Sequence, residues 1–184
     1  MDVFPTDIPG CLRLRAGVFT DQRGAFVKFF HAPTFEHLGL PTDFREDFFS
    51  VSGVNVIRGM HFQLPPWDHG KLVSVLRGKV YDVVLDLRRG SPTFGKHVST
   101  ILEADRGDAL FIPSGLAHGF CSLEEGTLLG YKTTREHHPE HDAGVRFDSF
   151  GETWPTMDPV ISSRDLAHPE FKAFNSPFFY EEPV

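Results

Sequence analysis

Residues 79–87 carry a period of two. Tyr81, Val83, Leu85 and Leu87 fall on one side, and Asp82 and Asp86 on the other. A period of two marks a strand, because successive side chains point to opposite faces. Comparable runs recur at 12–18, 25–30, 44–51, 55–63, 71–77, 96–103, 109–112, 117–123 and 127–134. Turn-forming clusters separate them, among them Asp21-Gln22-Arg23-Gly24, Arg89-Gly90-Ser91-Pro92 and Asp105-Arg106-Gly107. Residues 71–77 and 79–87 are predicted to pair as a hairpin around Gly78. Many short strands with regular turn signals predict an all-β sandwich or barrel. A short helix is expected over 33–38, with Pro33 in its first turn and Gly39 closing it.

The texture changes after Glu136. Six prolines punctuate residues 137–184, and the alternation fades. This predicts an irregular tail wrapped on a barrel core of 12–136, with a short helix over 163–167. No second domain is visible in 1–184, and the length suits one sizeable core.

Composition narrows the function. The chain is 40% hydrophobic with 19 Phe, which fits a packed protein. A formal net charge of -7 disfavours nucleic acid and anionic membrane as partners. No apolar run is long enough for a membrane span. The start, Met1-Asp2-Val3-Phe4-Pro5, lacks a signal-peptide pattern, and Cys11 and Cys121 have no metal or redox spacing. A cytoplasmic setting is expected. The sequence leaves open whether the two cysteines pair.

The densest chemistry lies in Arg58-Gly59-Met60-His61-Phe62-Gln63, with Lys71 opening the next strand. His61 and Gln63 share a strand face. Arg58 joins them only if Gly59 introduces a bulge, as strand glycines often do. His118 follows the Pro113-Ser114-Gly115 turn, Tyr131 stands on a later strand, and Asp165 lies in the tail. A base, an amide and a cation on one concave face suit abstraction of a proton beside a carbonyl. An imidazole acting as base needs an orienting acid. A phenol can return a proton from the opposite side, and an ammonium can hold an enolate oxygen. Each residue has a plainer reading: Tyr131 as a core aromatic, Asp165 as a helix cap, and His137, His138 and His141 as a solvated loop or a chance metal patch.

Several ordered blocks together resemble one family. They are Phe19-Thr20-Asp21-Gln22-Arg23-Gly24-Ala25-Phe26, the Arg58–Gln63 block, Lys71-Leu72-Val73, the run from Asp86 to Gly95, Ile112 to Phe120, Tyr131-Lys132-Thr133-Thr134 and Ser163-Arg164-Asp165. The chain resembles the nucleotide-sugar 3,5-epimerases typified by dTDP-4-dehydrorhamnose 3,5-epimerase. The resemblance implies a cupin-type jelly roll and epimerisation of a nucleotide-linked 4-keto-6-deoxy sugar. It implies His61 as base, Asp165 as its orienting carboxylate, Tyr131 as acid and Lys71 at the C4 oxygen. His118 and Gln63 would line the same pocket, and Arg23 and Arg58 would hold the diphosphate or nucleotide. It further implies no metal, no organic cofactor, and a homodimer in which a strand of one subunit completes the other's pocket.

The nucleotide side departs from the thymidine-specific members. Glu46-Asp47-Phe48 stands for a Gln-Asp-Asn run, and Lys28 for a glutamate. His137 stands for a stacking tyrosine, Asp142 for a glutamate and Arg164 for a lysine. The departures predict a base other than thymine, with cytosine or guanine expected. Two other functions fit a β-barrel of this kind. A metal-dependent cupin oxygenase or isomerase needs clustered imidazoles with a carboxylate, and Lys71 opposes a cation there. A non-catalytic sugar-nucleotide binding module would not need His61, Asp165 and Tyr131 together.

Overall fold

The computed structural model of the protein describes residues 1–182. The strands open with β1 (Asp2–Pro5), β2 (Leu12–Arg15), β3 (Val18–Asp21) and β4 (Gly24–Val27). Helix α1 (Ala32–His37) precedes β5 (Glu46–Ser52), β6 (Ile57–Gln63), β7 (Lys71–Arg77) and β8 (Lys79–Asp86). Next come β9 (His97–Glu103), β10 (Asp108–Ile112), β11 (Leu116–Ser122), β12 (Thr127–Thr133) and β13 (Asp142–Gly144). Helix α2 (Ser163–Leu166) lies in the tail.

Two sheets face each other, in the orders β1-β2-β10-β7-β12-β5 and β13-β6-β11-β8-β9. Their pairings are antiparallel. This is an all-β sandwich, as the alternating pattern predicted, and a jelly roll of the cupin type, as the resemblance implied. The pair β3–β4 stands apart as its own two-stranded ribbon.

The expected hairpin at Gly78 does not form. β7 lies between β10 and β12, and β8 between β11 and β9. Both strands bury side chains on both faces, so each belongs in a sheet centre. At Gly78 (φ 79°) the chain crosses from one sheet to the other. A Cβ there would stand 2.6 Å from Thr127 Oγ1, so the crossing requires glycine.

Val73, Val75, Val80, Val84, Leu110 and Leu129 fill the space between the sheets. The same inner face of β8 carries Asp82, which is buried. Its outer face, with Val83 and Leu85, is covered by the tail through Phe171, Phe174 and Phe178. Helix α1 seals the outside of the larger sheet, where Phe35 is fully buried against Leu14, Leu72 and Phe111. Each such buried side chain contributes about 2 kcal/mol.

Two strands fall outside the expected limits. β1 extends the larger sheet beyond residue 12, and Pro5 ends it at an edge, where a missing amide is tolerated. β13 lies in the segment expected to be irregular and pairs with β6, setting Gly144 opposite His61. Cys11 and Cys121 are free and buried, and burial pushes their thiols up to about 12 and about 11.

Candidate active site

One end of the sandwich opens into a cavity of about 670 Å³. Glu46, Phe48 and Ser50 face it from β5, and Tyr131 and Thr133 from β12. Arg58, His61 and Gln63 face it from β6, and His118 from β11.

Arg58 reaches the cavity through the bulge that Gly59 was expected to make. β6 spends three residue steps, Arg58 to His61, where β11 spends two, Phe120 to His118. Gly59 has φ 132°, and a Cβ on it would stand 2.5 Å from Gly119 Cα. Only glycine fits where the two backbones meet so closely. The Arg58 guanidinium then donates to Ser52 Oγ and the Val51 carbonyl, each at 3.1 Å.

His61 Nε2 lies 2.9 Å from Asp165 Oδ1. Helix α2 sets that carboxylate. Ser162 caps the helix by accepting the Asp165 amide at 3.1 Å, which leaves the Asp165 side chain free to turn toward β6. Its second oxygen accepts the Gly59 amide at 3.1 Å. Burial works to raise the Asp165 carboxyl, but the His61 and Gly59 hydrogen bonds outweigh it and hold the group at about 2. Asp165 therefore stays ionised and fixes the imidazole.

Lys71 Nζ donates to the His61 carbonyl at 3.2 Å. Burial draws its ammonium down to about 8, with Asp142 opposing the shift and Arg164 reinforcing it. Across the cavity, the Tyr131 hydroxyl is 3.3 Å from Ser50 Oγ. Burial pushes this phenol well above its ordinary range. Phe48 stacks on its ring at 4.9 Å and 13°. A carboxylate-held imidazole, an ammonium and a protonated phenol thus line one cavity, which suits proton removal and return beside a carbonyl.

The sequence profile of dTDP-4-dehydrorhamnose 3,5-epimerase matches residues 5–173. The chain belongs to that family. It is 41% identical over 169 residues to the dTDP-4-dehydrorhamnose 3,5-epimerase of Escherichia coli K12, covering 90% of this chain and 91% of that one. The structure of dTDP-6-deoxy-D-glucose-3,5-epimerase from Legionella pneumophila, solved with dTDP-4-keto-L-rhamnose, superposes with a TM-score of 0.92. The identity there is 34%, covering 98% of each chain. A 3'-monoepimerase from Streptomyces bikiniensis, solved with dTDP-quinovose, gives a TM-score of 0.85 at 29% identity, covering 90% of this chain and 86% of that one. The family makes the protein an isomerase of the epimerase class.

Most residues expected from the sequence meet at this cavity. Asp47, His137, Asp142 and Arg164 stand with the others along its lining. Asp142 and Arg164 pair at 2.9 Å, and Asp47 pairs with Lys132. Gln63 faces the cavity, but its amide nitrogen is committed to the carbonyls of Trp67 (2.8 Å) and Glu136 (3.1 Å). It ties two loops together rather than standing free for a ligand. Arg23 and Lys28 are not in the lining of the cavity. Arg23 sits at the turn of the β3–β4 ribbon with its guanidinium 90% exposed, paired with Asp21.

Other groups were not singled out in the sequence. His69 faces the cavity, and burial draws it down to about 3, so it is neutral. Asp82 stands 2.9 Å behind His118. His168 lies 3.9 Å from Asp165 and against Gly144, where a Cβ would come within 2.5 Å of its ring. Of the three histidines that the sequence offered as a solvated loop or metal patch, His137 is exposed, while His138 and His141 are half-buried, with their Nδ1 atoms 2.9 Å apart and Trp67 stacked on His138 at 4.4 Å. Ligand periodicity could not have found them, because each acts through a strand or loop distant in sequence.

Proposed function

We propose that this family member epimerises a 4-keto-6-deoxy sugar linked to a nucleoside diphosphate, without metal or organic cofactor, in deoxysugar or polysaccharide biosynthesis. His61 takes a proton from the carbon beside the ketone. Asp165 holds the imidazole in place and balances its charge. Lys71 stabilises the developing charge on the C4 oxygen. Tyr131 delivers a proton to the opposite face, which inverts C3, C5 or both. His118 lines the sugar end, and Arg58 binds phosphate. The observation that carries this reading is the His61–Asp165 pair at 2.9 Å facing Tyr131 across one cavity. The test is proton NMR in D2O with CDP-, dTDP-, UDP- and GDP-linked 4-keto-6-deoxyglucose. Deuterium at C3 or C5 with inversion supports it, and no exchange in any of them defeats it.

One observation bears on the metal-dependent alternative. His61 Nε2, Asp165 Oδ1 and His168 Nε2 lie within 4.8 Å of one another. The Lys71 ammonium and the Arg164 guanidinium stand beside that group and oppose a cation. Elemental analysis together with an unchanged exchange rate after chelation supports the metal-free reading, and exchange lost to chelator and restored by metal refutes it.

The active form proposed is a homodimer. Phe19 and Phe26 on the β3–β4 ribbon are 67% and 61% exposed, and Phe49 on the edge strand β5 is 68% exposed. A second ribbon laid along β5 covers both surfaces. It also brings Arg23 of the partner subunit and Lys28 of the partner subunit to the pocket mouth. No helix among the described residues is long and apolar enough to cross a membrane. We place the enzyme in the cytoplasm, with no nucleic-acid partner, as a single domain.

A further inference from the structure

The interior of the sandwich holds a second histidine–carboxylate pair. His118 Nε2 lies 2.9 Å from Asp82 Oδ2, and both residues are buried among Val80, Val84, Leu116 and Phe120. Placing two ionisable groups in an apolar core is costly, which makes the pair a candidate for a function. The pair also spans the core. His118 lines the reaction pocket, while Asp82 lines a separate cavity of about 360 Å³ beside β1, β2 and β9. Among the described residues Oδ1 of Asp82 is buried without a partner, and so is Nε of Arg13 in the same cavity wall. Its wall mixes Asp7, Ser99 and Thr100 with Val84 and Val98, and the unpaired acceptor and donor are where ordered water would sit.

The reaction leaves a proton debt. Each inversion puts a proton on His61 and takes one from Tyr131, so the phenol must be reloaded before it can act again. Tyr131 is 9% exposed, covered on one face by Phe48. The groups facing the His118 ring are Asp82 from β8, His61 from β6 and Tyr131 from β12, the last with ring centroids 6.4 Å apart.

We propose that Asp82 and His118 relay protons from the second cavity to Tyr131 while the sugar occupies the pocket. The inference rests on Tyr131 being the acid. Cavity water gives a proton to Asp82 Oδ1, and the hydroxide left behind is neutralised in solvent by the proton that His61 sheds when product leaves. The proton on Oδ2 passes to His118 Nε2 as Nδ1–H passes, through one pocket water, to the tyrosinate oxygen. One O–H bond forms for each that breaks, and no electrons change hands. Rotation of the carboxyl and a tautomer shift of the ring reset the wire. The raised proton affinity that burial gives Asp82 lets it carry a proton. Asp82 is thus a positioning and supply residue that acts through His118.

The test is a rapid-quench time course of inversion with Asp82→Asn, which keeps the side-chain shape. A second variant, Val98→Phe, fills the far cavity from a residue outside the lining of the reaction pocket. In the relay, both variants show a first inversion per subunit at the wild-type rate, followed by steady turnover at least about tenfold slower. Deuterium also enters substrate that has not inverted, because His61 still exchanges. A first inversion slowed as much as later ones assigns Asp82 a purely structural role and overturns the relay, as does wild-type turnover by Val98→Phe. If the wild-type protein shows no exchange, the epimerase reading fails instead, which is a separate result.

Discussion

Asp165 reaches across 104 residues of sequence to place Oδ1 2.9 Å from His61 Nε2, while its other oxygen takes the amide of Gly59. One carboxylate therefore fixes both the base and the bulge that presents it. Asp165→Asn should cut deuterium exchange about 100-fold or more, in line with loss of general-base function. His61→Asn should abolish exchange to the same degree while nucleotide binding, followed by calorimetry, persists. Near-normal exchange by His61→Asn would remove it from the role of base.

Tyr131→Phe separates the two half-reactions. Proton removal needs only His61, so exchange at the acidic carbon should stay within a few-fold of wild type. Inversion should fall about 100-fold, because no group returns a proton to the other face. NMR reads both in one sample. Full product formation by Tyr131→Phe would exclude the phenol as acid.

Lys71 sets an alkaline limit. Its ammonium is drawn down to about 8 from the ordinary lysine value, so it is charged below that pH and neutral above it. Enolate stabilisation is then present below about pH 8 and lost as pH rises through it. kcat/KM should fall on that side, and Lys71→Arg should move the limb upward, since a guanidinium stays protonated. The stability sign is the reverse. Between about pH 8 and the unfolded lysine value the unfolded chain binds more protons, so stability rises with pH. Lys71→Met should therefore raise Tm at pH 7, with the gain shrinking at higher pH. A profile flat from pH 7 to 10 would detach Lys71 from the chemistry.

Gly59→Ala tests the bulge. The added Cβ would stand 2.5 Å from Gly119 Cα and 2.9 Å from the His118 carbonyl. Overpacking of this kind costs about 2 kcal/mol. The variant should melt lower and lose exchange even where it remains folded, because His61 shifts with the strand. Urea titration and NMR exchange measure the two effects separately.

The sequence carries the strands and the site unequally. Period-two alternation placed β8 and β12 almost to the residue, since strand faces are local. It could not tell that β7 and β8 belong to different sheets, because partner choice depends on strands 40 residues away. Arg58, His61 and Lys71 were legible from one block, and the glycine bulge followed from the same block. Asp82 was visible only as the polar side of an alternating strand. That its side faces the core and meets His118 is a property of sheet packing, and no local spacing encodes it. Arg23 was legible as a family position, but no local spacing encodes that the β3–β4 ribbon carries it away from the cavity lining.

The base carried by the substrate is the last expectation. Glu46, Phe48 and Ser50 form the cavity-facing side of β5, and Glu46 stands opposite Thr133. An ionised carboxylate only accepts hydrogen bonds, and a phenyl ring does neither. Thymine offers one ring N–H between two carbonyls, whereas cytosine has an exocyclic amine, and guanine has an amine and a ring N–H. Glu46 can accept from either of the latter, while the carbonyls of thymine would face its negative charge. Phe48 is already stacked on Tyr131, so it offers an apolar edge rather than an amide. His137 at the rim can stack on a base, with less area than a tyrosine. A site that leaves polar groups unpaired against the wrong base discriminates strongly. In competition binding among CDP, GDP, UDP and dTDP, CDP or GDP should bind at least about tenfold more tightly than dTDP. Glu46→Gln with Phe48→Asn should shift the preference toward dTDP. If dTDP binds the unaltered protein at least as tightly as the others, the carboxylate is not reading the base, and a thymidine-linked sugar becomes the substrate of first choice.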